Sequence, residues 1–298
     1  MDRIMGGMRF VRDDKHYAYD VRVHDLGGGQ VEALATPRFG WTEAAPIACT
    51  DQAKRDLEMC QAGFMWRDGG WVPYERSEAD QADRDLVNRE RATRRARTKV
   101  RRLAKFKRLT TLLTFTYREN VTDRDRMQRD IDCLIKRVRR VIPDFEYISV
   151  FERQKRGAWH AHLATRRVLS HYVVGSQLVR SYDLLRSMWR GVVGQENGNV
   201  DVSRRRRVSG STSKLASYLS KYIGKTFDQA EKFVNSYSAS GRKLPDAMLF
   251  RLVDADQAAA ITALWDLLGV ELAGEPEFHH ALLSGGGYFL SLAPGPGT

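Results

Sequence analysis

The stretch FEYISVFERQKRGAWHAHLAT, residues 145–165, constrains the fold more tightly than any other part of the chain. Two apolar, β-branched and aromatic runs flank the short turn RQKRG. Runs of this length and composition read as strands, here 145–152 and 158–165. A connection this short joins antiparallel neighbours. Successive side chains of a strand point to opposite faces, so His160 and His162 share one face while Trp159, Ala161 and Leu163 fill the other. Glu152 ends the first strand, across the turn from the two imidazoles, and in a hairpin it can lie beside them.

The flanking pattern extends this hairpin into a domain. LTTLLTFTY (109–117) reads as a buried strand. Thr122 or Asp123 can cap a helix running to about Val141, with Met127, Ile131, Leu134, Ile135 and Val138 on one side and Arg/Lys on the other; Pro143 stops it. After the hairpin, a helix is expected over 176–190, a strand over 199–204 and a helix over 211–226. The order β-α-β-β-α-β-α predicts an α+β fold, an antiparallel sheet with helices on one face in a split-βαβ architecture.

The expected organisation has four parts. Residues 1–76 form a small β-rich segment of unassigned role, with HYAYDVRVHDL alternating, GGGQ as a turn and a hairpin around Asp68-Gly69-Gly70. Residues 77–107 form a basic helix or linker with Ser77 as its N-cap. Residues 108–250 carry the main domain. Residues 251–298 supply a helix at about 254–269 and a Gly/Pro-rich tail.

Charge indicates the class of partner. Among 298 residues, 49 Lys/Arg face 37 Asp/Glu, a net charge of +12, and 42% hydrophobic content leaves ample material for a core. Residues 89–108 alone hold eleven Lys/Arg against one Glu, among them Arg94, Arg95, Arg97, Lys99, Arg101 and Arg102. A second knot is Arg204, Arg205, Arg206 and Arg207; a third is RQKR at 153–156. Such blocks suit nucleic-acid phosphates, the alternative being a solvated helix face. No apolar run approaches a bilayer span, and MDRIMGGMRF has no signal-peptide core, so a soluble, cytoplasmic protein without a membrane partner is expected. Cys49, Cys60 and Cys133 are far apart with no CxxC pair, which argues for reduced thiols over a disulfide framework or zinc ribbon.

Two groups of residues carry chemistry. The imidazoles of His160 and His162, roughly 7 Å apart along a strand, can close on one divalent cation if a third ligand arrives. Glu152 would complete a mixed N/O set compatible with Mg²⁺ or Mn²⁺; the structural alternative is a pair of hydrogen-bonded core histidines. The second group lies in KLASYLSKYIGKT, 214–226, where Tyr218 and Tyr222 stand i, i+4 on one helix face and Lys221 and Lys225 repeat the offset. A tyrosine with its usual pKa of about 10 is a poor nucleophile unless a nearby ammonium or a polarised phosphate activates it. The alternative places both tyrosines in the core beside Leu215, Leu219 and Ile223. GKT at 224–226 is not a nucleotide loop, because Leu219 occupies the position of its first glycine.

Taken in order, LTTLLTFTY, then Glu152 followed by His160-Ala161-His162, then YLSKYIGK resembles the three motifs of the HUH endonucleases. Within that superfamily the chain is most similar to the replication-associated proteins of small single-stranded DNA phages, of the filamentous gene-II and microvirus type. The paired tyrosines match their two-tyrosine class. The resemblance covers roughly 108–245; its first motif is loose, centred on Thr114-Phe115-Thr116. It implies a rolling-circle initiator. His160, His162 and Glu152 would bind the divalent ion. Tyr218 would form a 5′-phosphotyrosyl link to single-stranded origin DNA and free a 3′-OH for a host polymerase. Tyr222 would perform the second strand transfer, and Lys221 and Lys225 would position phosphate or metal. No Walker A motif is present, so unwinding is expected to need a host helicase. A plasmid relaxase or transposase, or a non-catalytic single-strand-binding module, would share these features.

Overall fold

The computed structural model describes residues 3–5, 8–44, 51–75, 77–203, 215–216, 218–219, 222–223, 237–269 and 277–293. The chain divides into two compact units, one made of residues 1–86 and 246–298 and the other of residues 87–245. The architecture is mixed α+β, with antiparallel sheets and helices.

In the first unit, β1 (Arg3–Met5), β2 (Met8–Asp25) and β3 (Val31–Glu43) join three strands from the far end of the chain: β13 (Met248–Val253), β14 (Glu277–Leu283) and β15 (Gly287–Ala293). The sheet order is β1-β2-β3-β15-β14, with β13 also on β2. Alternation explains its inner face. Tyr19, Val21 and Val23 of β2, Ala33 and Ala35 of β3, and Tyr288, Leu290 and Leu292 of β15 bury against Ala260 and Leu264 of helix α5 (Gln257–Gly269). The sequence alone reads the segment after 251 as a helix and tail. The helix is present, but GYFLSLA alternates strictly, and that period places it as a paired strand.

Residues 51–61, unassigned by the sequence reading, form helix α1. The expected hairpin follows as β4 (Phe64–Arg67) and β5 (Gly70–Pro73), its two turn residues Asp68 and Gly69 both at positive φ. Positive φ at both positions is the geometry that tight hairpins favour.

Helix α2 (Glu78–Phe106) is the expected basic helix. Ser77 caps it, its hydroxyl oxygen accepting from the Asp80 N–H at 3.1 Å. The second unit takes up the chain from Val87. Its antiparallel sheet has the order β11-β6-β8-β7-β12, formed by β6 (Thr111–Tyr117), β7 (Tyr147–Arg153), β8 (Trp159–Thr165), β11 (Gly198–Ser203) and β12 (Tyr237–Ala239).

One face of this sheet carries α3 (Arg124–Val141) and α4 (Ser181–Val193). The Asp123 carboxylate caps α3 by accepting from the N–H groups of Asp125 and Arg126, and all five residues expected on its apolar side are buried. From α4, Trp189 is fully buried between Phe115 and Tyr117, and its indole N–H donates to the Thr116 carbonyl at 2.9 Å. Gly198 makes room for it, since a Cβ there would sit 2.7 Å from Trp189 Cδ1.

Two expectations need correction. The helix expected over 176–190 begins only at Ser181, because β9 (His171–Val174) and β10 (Gln177–Arg180) form a hairpin first. Gly175, at φ 62, supplies the turn that the β-branched residues before it cannot. Nor are helices confined to one face. Val100, Leu103 and Ala104 of α2 pack with Ala216, Leu219 and Ile223 over Leu112, Ile148, Val150 and Ala164 on the other face. Those strands are apolar on both sides, which demands a second cover.

The start of β7 is tied down by a buried ionic cluster. Lys107, fully buried, bonds Glu146 at 3.2 Å and donates to the Ser240 carbonyl. Arg166 reaches the other carboxylate oxygen at 2.6 Å and donates to the Lys107 carbonyl at 3.1 Å.

Candidate functional site

The sheet face beneath α2 carries the residues singled out in sequence. Because β7 and β8 pair antiparallel with Glu152 opposite His160 and Val150 opposite His162, the carboxylate enters beside both imidazoles. Its Oε2 lies 3.0 Å from His162 Nε2. Trp159, Ala161 and Leu163 point the other way, into the core under α3 and α4.

Each imidazole has a partner on its second nitrogen. His162, buried, faces the Thr114 hydroxyl through Nδ1 at 3.2 Å. Thr114 reaches it because β6 pairs with β8 in a register that sets the two residues opposite each other. His160 Nδ1 lies 3.1 Å from the Gln154 side-chain amide, while its Nε2 is buried with no hydrogen-bond partner. Burial, reinforced by the positive charges of His162 and Arg156, holds the His160 imidazole below its ordinary value against the opposing pull of Glu152. At neutral pH the ring is therefore uncharged and able to offer a lone pair.

The tyrosines complete the group. Tyr218, Leu219, Tyr222 and Ile223 are helical, with Leu219 and Ile223 in the core and the two rings half-buried on one side. The Tyr222 ring stacks on His162 with centroids 4.2 Å apart and planes at 28°. Tyr218 meets Tyr222 edge-on, and their hydroxyls are 2.5 Å apart. Two phenols, two imidazoles and a carboxylate thus meet on one face of one sheet.

Among the described residues, no cluster of three or more His, Cys, Asp or Glu side chains closes as a metal site as it stands. The donor chemistry nevertheless fits a divalent cation. Two imidazole nitrogens flank a carboxylate oxygen, and the orphaned His160 Nε2 is a buried polar atom that a cation would satisfy.

Of the remaining candidates, Arg94, Arg95, Arg97 and Lys99 are exposed on α2, and Arg101 and Arg102 are half-buried. Lys105 and Lys107, within the same basic block, are buried, so the block is not a uniform charged face. Lys221, Lys225, Arg204, Arg205, Arg206 and Arg207 lie outside the described residues. Sequence reading assigns no role to Gln154 and gives Thr114 only as part of a loose motif. Gln154 follows Glu152 by two positions, a parity signal for the same face.

The charge divides sharply between the units. Residues 87–245 hold 37 Lys/Arg against 14 Asp/Glu, a net +23. Residues 1–86 and 246–298 hold 12 against 23, a net −11. The site belongs to the basic unit, which points to an anionic ligand there. No helix among the described residues is long and apolar enough to cross a membrane.

Comparison with curated proteins and with solved structures finds no match. Residues 110–227, a central portion of the chain that contains Glu152, both histidines and both tyrosines, match the family of replication-associated proteins that groups ORF2 with the gene-II protein.

Proposed function

We propose that the basic unit is an HUH endonuclease that initiates rolling-circle replication, nicking and rejoining single-stranded DNA through a tyrosine-linked intermediate. One observation carries the reading: the Tyr218 and Tyr222 hydroxyls are 2.5 Å apart, and Tyr222 stacks on His162 beside Glu152. The match over 110–227 supports the family, and the antiparallel sheet with α3 and α4 on one face is compatible with a ferredoxin-like HUH core spanning about 108–250.

In this reading His160, His162 and Glu152 hold a divalent cation. A bound Mg²⁺ or Mn²⁺ supplies Lewis acidity toward a non-bridging oxygen of the scissile phosphate. Tyr218 Oη attacks the phosphorus; the tyrosyl O–P bond forms as the P–O3′ bond breaks, and the phenolic proton ends on the departing 3′ oxygen. The 3′-OH then primes a host polymerase, with strand separation left to a host helicase. Tyr222, already bonded to Tyr218, carries out the second transfer that recloses a circle. Lys221 and Lys225 offer positive charge to the phosphate. The exposed Arg94, Arg95, Arg97 and Lys99 and the run from Arg204 to Arg207 hold the strand by its backbone.

Covalent capture tests the reading. A single-stranded origin oligonucleotide labelled 3′ of the cut should travel with the chain through denaturing electrophoresis when Mn²⁺ is present. Salt-sensitive binding without any covalent product would instead favour a single-strand-binding module.

A further inference from the structure

We infer that Thr114 and Gln154 are positioning residues that set the tautomers of His162 and His160, so that both Nε2 atoms offer lone pairs beside Glu152. This inference rests on the metal reading above and names the residues on which cation affinity depends.

A neutral imidazole carries one proton, and whichever nitrogen holds it cannot bind a cation. For His162, Nε2 faces the Glu152 carboxylate and Nδ1 faces the Thr114 hydroxyl. A hydroxyl either donates or accepts. Thr114 therefore supports the ring in both states: it donates to Nδ1 when Nε2–H points at Glu152, and accepts from Nδ1–H when Nε2 is stripped for a cation. The direct pairing of Thr114 with His162 across β6 and β8 fixes this contact through the backbone.

For His160 the choice is sharper. With the Gln154 NH₂ toward Nδ1, the proton would have to sit on Nε2, a buried nitrogen with no acceptor. Such a donor is disfavoured. Turning the amide by half a rotation puts its oxygen toward Nδ1, which then carries the proton and leaves the Nε2 lone pair facing the site. The two ends of an amide are nearly isosteric, so the hydrogen-bond network selects the orientation. Gln154 is well held for this role, its N–H donating to Ala158 and its carbonyl accepting from Gly157, both at 2.8 Å.

The test is Mn²⁺ titration of the full chain by calorimetry, without DNA. Thr114→Val keeps the shape of threonine but loses the hydroxyl, and Gln154→Leu loses the amide. Each should weaken Mn²⁺ binding by about 10-fold, the lower end of the range for partners of metal-bound histidines. Thr114→Ser and Gln154→Glu, which keep an acceptor at Nδ1, should restore affinity; a purely structural role would not follow that pattern. Wild-type affinity in Thr114→Val and Gln154→Leu, or a loss that the acceptor-bearing variants do not rescue, overturns the inference while leaving the metal site standing. Absence of Mn²⁺ binding by the wild-type chain overturns the metal reading itself, and the inference with it.

Discussion

The ring of Tyr222 lies against the imidazole of His162, centroids 4.2 Å apart, while its hydroxyl bonds that of Tyr218 at 2.5 Å. One tyrosine thus contacts both the other phenol and the residue nearest Glu152. Tyr222→Phe keeps the stack and removes the hydroxyl. In a two-tyrosine mechanism it should leave the first cut, and hence the covalent adduct, within about 10-fold of wild type while abolishing strand rejoining. Analysis of the products for reclosed circles checks this; full rejoining by the variant would remove Tyr222 from the chemistry.

The Lys107–Glu146–Arg166 cluster predicts acid sensitivity. Burial acts to raise the Glu146 carboxyl, but the Lys107 hydrogen bond and the charges of Lys107 and Arg166, with a contribution from Arg242, outweigh it and hold the group below its ordinary value. A carboxylate with a depressed folded pKa adds stability that is fully present above its unfolded value of about 4.3 and is lost as pH falls through the lower folded value. Urea midpoints should therefore decline below about pH 4.3 in the wild type. Lys107→Met should cost on the order of 3 kcal/mol at pH 7 by leaving Glu146 short of a buried partner. Equal midpoints for variant and wild type at pH 7 would show that the cluster contributes no net stability.

The fold is legible in the sequence wherever the pattern is local. The hairpin of β7 and β8, the capped helix α3 and the shared face of Tyr218 and Tyr222 follow from period and turn chemistry over a few residues. What escapes are relations between distant segments. Thr114 meets His162 only because β6, not a sequence neighbour, pairs with β8. Lys107 reads as a surface charge until Glu146, 39 residues on, supplies its buried partner. The strands β13–β15 reach β2 and β3 from more than two hundred residues away, and no local signal announces that pairing. At β9–β10 two local signals compete, and the glycine turn prevails over helical periodicity.

The exposed cations of α2 make a prediction about salt. Replacing Arg94, Arg95, Arg97 and Lys99 together by Gln should reduce the slope of log affinity against log salt by about 3, near 0.7 for each phosphate of a single strand that is no longer neutralised. Binding isotherms with a fluorescent single-stranded oligonucleotide over a salt series measure it. An unchanged slope would assign these side chains to solvent.

The central claim is that the phenols beside His162 attack DNA. The most direct measurement incubates the wild-type chain, Tyr218→Phe and His162→Ala with Mn²⁺ and single-stranded oligonucleotides tiled across the replicon that encodes the protein, then identifies the linked residue by mass spectrometry of the digested adduct. The account predicts a DNA adduct on Tyr218 in the wild type, lost in Tyr218→Phe, in His162→Ala and on chelation. An adduct that persists undiminished in Tyr218→Phe, or none on any oligonucleotide despite salt-sensitive binding, would contradict it.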